Sequence, residues 1–443
     1  MNKKISLASS LAFLLIAVTL TFTVTMSVSW RMYNKAIESI ADTQETYAKL
    51  SEVDQLVKQN FLFEISQSDL TDSLIEGYIN GLGDPYAQYY SAEQVQAHTD
   101  SYNGDSVGLG VSYVSHPDTG YPYITVIHAD SSAKDAGVQV GDQIVSVDGK
   151  DLLSEEGKAL LSTVSKQKGK VFQISVLRDK RTMDFYLEST DYTVTSVLFD
   201  TIDDVGVIRI LSFNTASVEQ FKTAVASLQR SNVAGIVLDV RHNSGGSVAA
   251  ARDMLDILLP EGTLYTAKYA DGSTEKFTSD ENAVDLPMVV LIDEHTASAA
   301  ELFAGVVKDF FVGPLIGEQT YGKGIMQRTF SLSDGSELQI TTAYLITPLG
   351  HQYHGTGILP STEVILNDVA KSRFHLLSYT EDVQLQEGVK LLTNKQTQEP
   401  ESSSSVSSSA SSATSSNQSS AVSSAVSSTV SSTVSSETSS AAK

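Results

Sequence analysis

Between residues 195 and 360, short apolar runs alternate with amphipathic stretches. The apolar runs have the length and continuity of buried strands, and the amphipathic stretches repeat apolar residues at helical spacing. The predicted strands cover residues 205–211, 233–240 and 288–292, and the predicted helices cover residues 217–229, 247–259 and the stretch after Ser298. Repeated strand–helix–strand units build parallel sheets, whose functional residues gather beyond the carboxyl ends of the strands. The pattern therefore predicts an α/β domain.

Ser298 stands at the turn between the third of these strands and the helix that follows it. Backbone N–H groups are unpaired at a helix N-terminus, and the helix dipole is positive there. A nucleophile at this place has donors for an oxyanion beside it. Ser298 is therefore a candidate nucleophile, and the N–H of Ala299 is a candidate oxyanion donor.

Lys323 lies between Gly322 and Gly324, which let the backbone approach a neighbouring segment closely. A lysine acts as a general base only when desolvation keeps its amine neutral. If a strand starts at Gly324, Lys323 and Gln327 point to the same face of it. The sequence thus predicts Ser298 as nucleophile, Lys323 as general base and Gln327 as the residue that orients the lysine.

Each fragment also has a purely structural interpretation. Ser298 and Glu301 fit the S-x-x-E capping box, in which the serine only caps a helix. Gly-Lys-Gly is a common exposed turn, in which Lys323 would simply be solvated. His242 and His295 offer a further alternative, a Ser-His hydrolase.

Several motifs in a fixed order resemble those of the C-terminal processing peptidases, the tail-specific serine proteases of family S41. The resemblance covers most of residues 45–395 and implies an S41 peptidase core of the ClpP/crotonase-like type. It rests on the run from Asp293 to Glu301, with Lys323 and Gln327 downstream. The other matching motifs are Asp84-Pro85-Tyr86, Val237-Leu-Asp239-Val-Arg241-His-Asn243-Ser-Gly245-Gly246, Thr347-Pro348-Leu-Gly350 and Gly355-Thr-Gly357-Ile-Leu-Pro360.

The glycine loop at residues 243–246 would supply the second oxyanion donor, and the sequence leaves open whether it is Gly245 or Gly246. Ser244 stands where the family usually has proline, which predicts a less rigid loop.

Ser165-Lys166 stands where many members of the family have Arg-Gly, late in the PDZ domain that those members carry. This difference argues against ligand gating by the route proposed for those members, because lysine lacks the bidentate fork of arginine.

Residues 103–190 resemble a PDZ domain. The run from Ala136 to Gly149 has the turn, strand and second turn that make this module recognisable. The loop Gly108-Leu109-Gly110-Val111 would bind the carboxylate of a peptide C-terminus through its backbone N–H groups. We therefore expect the unstructured C-termini of exported polypeptides as partners.

Both ends of the chain differ from its middle. Residues 5–30 are free of charge and long enough to span a bilayer, and Lys3 and Lys4 precede them. We predict an uncleaved membrane anchor, with a cleaved signal peptide ending near Ser27-Val-Ser29 as the alternative. Residues 402–442 are nearly all Ser, Ala, Thr and Val, which predicts a disordered tail.

The predicted organisation follows from these segments. It comprises a membrane anchor or signal segment at 1–35, a helical segment at 36–102, the PDZ domain at 103–190, the S41 peptidase domain at 191–397 and the tail at 398–443. The family resemblance implies that the helical segment forms a homodimer and shapes an access tunnel. A simple helical spacer is the alternative.

Composition excludes several classes of function. The net charge is −23, with no basic stripe, so we predict no nucleic-acid partner. The chain has no cysteine, which excludes thiol catalysis. It also has no metal-binding or nucleotide-binding motif, so we predict neither a metal nor a cofactor.

The sequence as a whole predicts a bacterial membrane-anchored serine endopeptidase with its catalytic part outside the cytoplasm. Its PDZ domain would recognise substrates at their C-termini. A catalytically idle PDZ scaffold at the cell surface is the main alternative.

Overall fold

A computed structural model of the chain describes residues 7–396, with the side chains of 7–12, 31–43, 45 and 394–396 left aside. The predicted disordered tail lies outside the described residues. The helices are α1 (Leu7–Asn60), α2 (Gln67–Asn80), α3 (Val95–Asn103), α4 (Ser132–Ala136), α5 (Glu155–Thr163), α6 (Thr215–Arg230), α7 (Val248–Leu258), α8 (Ala299–Asp309), α9 (Asp368–Ser372) and α10 (Val383–Gln396), with 3₁₀ turns at Val164–Lys166 and Phe374–Leu376.

Nineteen strands are present among the described residues. They are β1 (Gln88–Tyr90), β2 (Asp105–Gly108), β3 (Val111–Ser115), β4 (Pro122–Ile127), β5 (Gln143–Val147), β6 (Lys150–Asp151), β7 (Val171–Arg178), β8 (Arg181–Glu188), β9 (Thr190–Thr193), β10 (Val197–Ile202), β11 (Val205–Ile210), β12 (Gly235–Asp239), β13 (Gly262–Tyr269), β14 (Thr274–Ser279), β15 (Met288–Ile292), β16 (Leu315–Gly317), β17 (Ile325–Ser331), β18 (Glu337–Ile346) and β19 (Thr362–Glu363).

The predicted parallel sheet is present, in the order β10-β11-β12-β15-β16-β19. Within this sheet, neighbouring strands pair in parallel from β11 through β12, β15 and β16 to β19, while β10 pairs with β11 in the antiparallel direction. Helices cover both faces of the sheet. Successive residues of a strand point to opposite faces, so neighbouring residues contact different helices. Ile236 and Leu238 pack with α6, α7 and α8, and Val237 between them packs with α10.

The peptidase region contains a second sheet, which the sequence did not predict. It is antiparallel, in the order β1-β18-β13-β14, with β17 also paired to β18. Strand β18 therefore pairs with β1 of the helical segment and with β17, which begins two residues after Lys323. This places the N-terminal segment against the part of the chain that carries the predicted base.

The PDZ region forms an antiparallel sheet in the order β3-β4-β5-β7-β8, with its own apolar core. Strands β2 and β9 pair where the chain enters and leaves this region. Strand β3 pairs only with β4, so its other edge is open to a further strand. The open edge directly follows the loop that is predicted to bind a carboxylate.

Helix α1 contains one stretch, Phe13–Trp30, that is apolar and long enough to cross a membrane, with a mean hydropathy of 1.8. None of its residues is buried against the rest of the described chain. Such a helix near the N-terminus is compatible with a membrane anchor or with a signal sequence.

A buried ion-pair network fixes the end of β12. The Arg241 guanidinium is completely buried and donates to both carboxylate oxygens of Asp239, at 2.9 and 2.8 Å. It also donates to both oxygens of Asp382, at 2.8 and 2.7 Å, and to Gln384. Burial works to raise the pKa of Asp239, but the charges of Arg241 and Arg209 outweigh it and hold that pKa well below its usual range. The network ties the strand that leads into the glycine loop to the start of α10.

We expect Asp382→Ala to lower the free energy of unfolding by about 3 kcal/mol, because it leaves a buried guanidinium without one of its two carboxylates. The measurement is denaturant unfolding of the full chain in detergent, followed by circular dichroism. Asp285→Ala, the same change at an exposed position, is the matched control and should cost less than about 0.5 kcal/mol. Equal effects of the two variants would contradict the structural role of the network.

Candidate active site

One cavity of about 640 Å³ collects the residues that the sequence singled out for catalysis. Ser298, Lys323 and Gln327 all line it, together with both glycines of the loop. Residues of α3 contribute another wall, and an apolar part is formed by side chains from several strands and helices. The remaining lining residues include His98, Ser101, Tyr102, Phe213, Val248, Ala249, Arg252, Tyr265, Phe277, Ile325, Met326 and Gln339.

Ser298 directly precedes α8, at the turn after the buried strand β15. Its backbone has φ 56° and ψ −118°, a conformation that costs energy for any residue with a side chain. Such a sharp, strained strand-to-helix turn exposes a nucleophile at the top of a sheet in other hydrolases. Gly245 packs against this turn so closely that a Cβ there would lie 2.9 Å from the Ser298 Cβ.

The buried carboxylate of Glu301 joins the nucleophile segment to the lysine segment. It accepts hydrogen bonds from the backbone N–H of Ser298 at 2.8 Å and from that of Lys323 at 2.7 Å. It also accepts from the backbone N–H of Gly322 at 2.7 Å and from the Thr320 hydroxyl at 2.6 Å. Burial raises the pKa of Glu301, and these four hydrogen bonds oppose the rise. The capping-box interpretation thus describes only part of what this glutamate does.

Lys323 is half-buried, and its burial lowers the pKa of the amine, while the negative charges of Asp84 and Glu301 act in the opposite sense. A lowered pKa increases the neutral fraction that a general base requires. The amine makes no hydrogen bond or ion pair with the residues that the structure describes. Lys323 Nζ lies over the face of the Tyr86 ring, 4.1 Å from the ring centroid.

Gln327 lines the cavity, but the strand that carries it is irregular. Strand β17 begins at Ile325, and its register with β18 shifts between Met326 and Gln327. Ile325, Gln327 and Thr329, which the sequence places on one face of the strand, line the cavity, and Met326 lines it as well. The extra residue at the register shift is Thr342 of β18. The Gln327 amide donates to the Thr341 hydroxyl at 2.9 Å.

The two glycines of the loop differ in their hydrogen bonding. The N–H of Gly245 donates to the Asn243 side chain at 2.8 Å, and Gly245 is buried. Gly246 is exposed to the cavity, and its N–H has no acceptor among residues 7–396. The N–H of Ala299, at the first position of α8, is likewise left without a helical acceptor. Gly246 is therefore better placed than Gly245 to donate to an oxyanion.

Ser244 is exposed where the family usually has proline, yet the loop around it is held firmly. The Asn243 amide donates to the backbone oxygen of Ile210 at 2.8 Å while its oxygen accepts from Gly245. These bonds hold the loop without a proline ring. Ser165 and Lys166 are both exposed, on the 3₁₀ turn Val164–Lys166.

The Asp293 carboxylate connects the glycine loop to the turn that carries Ser298. It accepts the backbone N–H of His242 at 3.0 Å, that of His295 at 3.1 Å and the hydroxyl of Thr296 at 3.0 Å. Burial works to raise the pKa of Asp293, but His242 and Thr296 hold it below its usual range. The sequence did not predict this second set of hydrogen bonds to a buried carboxylate.

The two candidate histidines lie together, away from the cavity. The His242 ring stacks on Phe374 with centroids 4.0 Å apart, and the His295 ring lies 4.5 Å from that of His242. Neither is among the lining residues of the cavity within the described part of the chain. His98 of α3 does line it, and its Nδ1 lies 3.3 Å from a carboxylate oxygen of Glu337.

In the PDZ region, the predicted carboxylate loop connects β2 to β3. Gly110 has φ 82°, and a Cβ there would lie 1.9 Å from the Ser131 Cβ, so only glycine fits. The loop oxygens are used inside the domain, since Leu109 O accepts from Ala133 N–H and Gly110 O accepts from His128 N–H. The N–H groups of Leu109 and Gly110 have no acceptor among the described residues.

No group of three or more potential metal ligands is present among the residues that the structure describes.

Fold and cavity together define an α/β hydrolytic enzyme with an attached PDZ domain, and comparison with known proteins identifies its family. Models for "Peptidase family S41", "PDZ domain" and "Activating protease CtpB N-terminal domain" match residues 204–364, 123–167 and 14–94. A "Probable CtpA-like serine protease" of Staphylococcus aureus (strain bovine RF122 / ET3-1) is 30% identical over 359 residues, covering 79% of this chain and 71% of the relative. The chain therefore belongs to the CtpA-like serine proteases of peptidase family S41.

A further relative and a solved structure are also similar to the chain. A "Probable CtpA-like serine protease" of Staphylococcus epidermidis (strain ATCC 12228 / FDA PCI 1200) is 29% identical over 320 residues, covering 71% of this chain and 65% of the relative, slightly less than two thirds of its length. A solved "Putative S41 protease from Bacteroides fragilis NCTC 9343" has a TM-score of 0.52 and 18% identity, covering 72% of this chain and 90% of that one. The second likeness concerns the fold alone.

We expect Glu301→Gln to reduce kcat about 100-fold. The glutamine NH₂ would face N–H donors, so the Ser298 and Lys323 segments would separate, and misplacement by about 1 Å can cost this much. Steady-state cleavage of an unstructured protein by the full chain in detergent measures it. Glu294→Gln makes the same chemical change at a surface pair with Lys371 and should leave kcat within about twofold. Wild-type turnover by Glu301→Gln would contradict the bridging role of this carboxylate.

Proposed function

We propose that the chain is an active serine endopeptidase that uses Ser298 as nucleophile and Lys323 as general base. The observation that carries the proposal is the Glu301 carboxylate, which bonds the backbone of both residues at the wall of one cavity. The lowered pKa of the half-buried lysine supports its role as a base. Retention of every part of this arrangement argues against an idle scaffold.

The chemistry is acyl transfer through a covalent intermediate. Ser298 Oγ attacks the scissile carbonyl carbon while its proton passes to Lys323 Nζ. The oxyanion that forms accepts hydrogen bonds from the N–H groups of Gly246 and Ala299. Collapse breaks the C–N bond, and the lysine returns its proton to the leaving amine. Water, deprotonated by the same lysine, then attacks the acyl-enzyme ester and releases Ser298.

Gln327 completes this proposal as the residue that orients the lysine amine. Its amide nitrogen donates to Thr341 on β18, which leaves its side-chain oxygen available to accept a hydrogen bond from Lys323. Both Gln327 and Lys323 line the cavity. A small movement of the flexible lysine side chain would make that bond.

We propose that substrates are exported polypeptides whose C-termini bind the PDZ domain. The loop from Gly108 to Val111 offers backbone N–H groups for a terminal carboxylate. The open edge of β3 can pair with the preceding residues of the peptide. An unstructured, apolar C-terminus satisfies both requirements.

The proposed location is the outer side of a bacterial cell membrane. Phe13–Trp30 is the candidate span, and Lys3 and Lys4 before it favour a cytoplasmic N-terminus. If this segment is instead cleaved as a signal peptide, the mature enzyme is secreted. We further propose a homodimer formed by the N-terminal segment, since Phe61, Leu62 and Phe63 are 56%, 86% and 71% exposed in the monomer.

We expect both Ser298→Ala and Lys323→Ala to abolish cleavage of an unstructured protein by the full chain in detergent, with Lys323→Ala at least about 100-fold slower than wild type. Wild-type kcat should rise with pH as the lysine loses its proton. Because burial lowers the pKa of Lys323, the midpoint of the rise should lie below the ordinary lysine pKa. Electrophoresis and mass spectrometry of the products measure both effects.

The matched control is Lys276→Ala, at an exposed lysine on β14, which should cleave normally. Near-normal cleavage by Lys323→Ala, or a rate that is flat between pH 5 and 9, would remove the lysine from the mechanism. Loss of cleavage in His98→Asn combined with retention in Lys323→Ala would establish a Ser-His hydrolase instead. No cleavage by wild type, with peptide binding retained, would favour the idle scaffold.

For a substrate protein with an apolar C-terminus, we expect amidation of the terminal carboxylate to raise KM about tenfold. The amide cannot form the charge-assisted bonds that the loop N–H groups offer. Cleavage kinetics of the acid and the amide forms of one substrate measure the difference. Equal KM values would contradict recognition of the C-terminus by the PDZ loop.

A further inference from the structure

The segment Asp84-Pro85-Tyr86 connects the N-terminal helices to the amine of Lys323. The Tyr86 ring presents its face to Nζ, 4.1 Å from the centroid. This distance is within the range in which an aromatic ring attracts a cation. The contact crosses from the N-terminal segment to the lysine that precedes β17.

Tyr86 is held in place by its neighbours. Its backbone N–H donates to Asp84 Oδ1 at 3.0 Å, and the other Asp84 oxygen accepts the backbone N–H of Thr341 at 3.4 Å. Two residues on, β1 pairs with β18, matching Gln88 with Gln339. The backbone on both sides of the Tyr86 ring is therefore fixed.

We propose that Tyr86 is a positioning residue of the peptidase site. Its ring face holds the Lys323 amine and stabilises the ammonium that forms when the lysine takes the Ser298 proton. The inference rests on the proposed function. It makes the N-terminal segment part of the catalytic site, in addition to any role in dimerisation or access.

The lysine needs such help because it gains a full positive charge during the reaction. Among the described residues, no carboxylate lies within ion-pair distance of Nζ. Asp84 and Glu301 act on it only through longer-range charge. The π face is a group of complementary charge in contact with the amine, and a protein-supplied ring requires no solvent reorganisation when the charge develops.

The test compares Tyr86→Leu, which keeps apolar bulk but removes the π face, with Tyr86→Phe, which keeps the face and removes the hydroxyl. We expect Tyr86→Leu to lower kcat about tenfold with KM nearly unchanged. The acidic limb of its kcat profile should move to lower pH, because a group that favours the protonated lysine has been lost. Tyr86→Phe should restore most of the turnover. Tyr78→Leu, at an exposed tyrosine on α2, is the matched control.

A second measurement reads the lysine without relying on activity. In full-length Ser298→Ala protein, competitive labelling with acetic anhydride, quantified by mass spectrometry, gives the pKa of Lys323. We expect Tyr86→Leu to lower that pKa by about half a unit or more. If wild type proves inactive, the proposed function fails while this titration still tests the contact.

Three results would overturn the proposal. The first is a Lys323 titration that does not respond to Tyr86→Leu. The second is higher turnover in Tyr86→Leu, which would mean that the ring sequesters the amine. The third is an equal loss of kcat in Tyr86→Phe and Tyr86→Leu, which would assign the effect to the Tyr86 hydroxyl rather than to the ring face.

Discussion

The arrangement of the whole site depends on one buried carboxylate. Glu301 lies on the first turn of α8 and accepts the backbone N–H groups of Ser298, Gly322 and Lys323. The proposed nucleophile and base come from segments about 25 residues apart in the chain. This side chain joins them, together with the backbone bond from the N–H of Tyr321 to the oxygen of Thr296. A buried carboxylate is costly unless its oxygens are satisfied, and here four donors satisfy them. The same bonds that make the burial tolerable also fix the distance between the two catalytic segments.

Two other contacts connect the Glu301 site to neighbouring parts of the structure. Asp293 bonds both the glycine loop and the Ser298 turn, which fixes the proposed oxyanion donor Gly246 relative to the proposed nucleophile. Strand β18 pairs with both β1 and β17, so the N-terminal segment is aligned with the strand that follows Lys323. The cavity is consequently built by the N-terminal segment as well as by the peptidase domain.

Much of this was predictable from the sequence, because local patterns determine local structure. Strand β15, helix α8 and the turn between them follow from the apolar run and the helical spacing around Ser298. The remainder depends on contacts between residues far apart in the chain. The bond between Arg241 and Asp382 spans 141 residues, and the contact between Tyr86 and Lys323 depends on the pairing of β1 with β18. The bulge at Thr342 of β18, opposite Met326 and Gln327, also escaped prediction, since an extra residue leaves the apolar pattern almost unchanged.

The central claim is that Lys323 activates Ser298 within this carboxylate-linked site. The most direct test is the rate at which a fluorophosphonate probe labels the full chain in detergent, with the labelled residue mapped by mass spectrometry. We predict labelling at Ser298, faster as pH rises, and slower by at least about 100-fold in Lys323→Ala. Labelling of Ser298 at the same rate with and without the lysine would contradict the account.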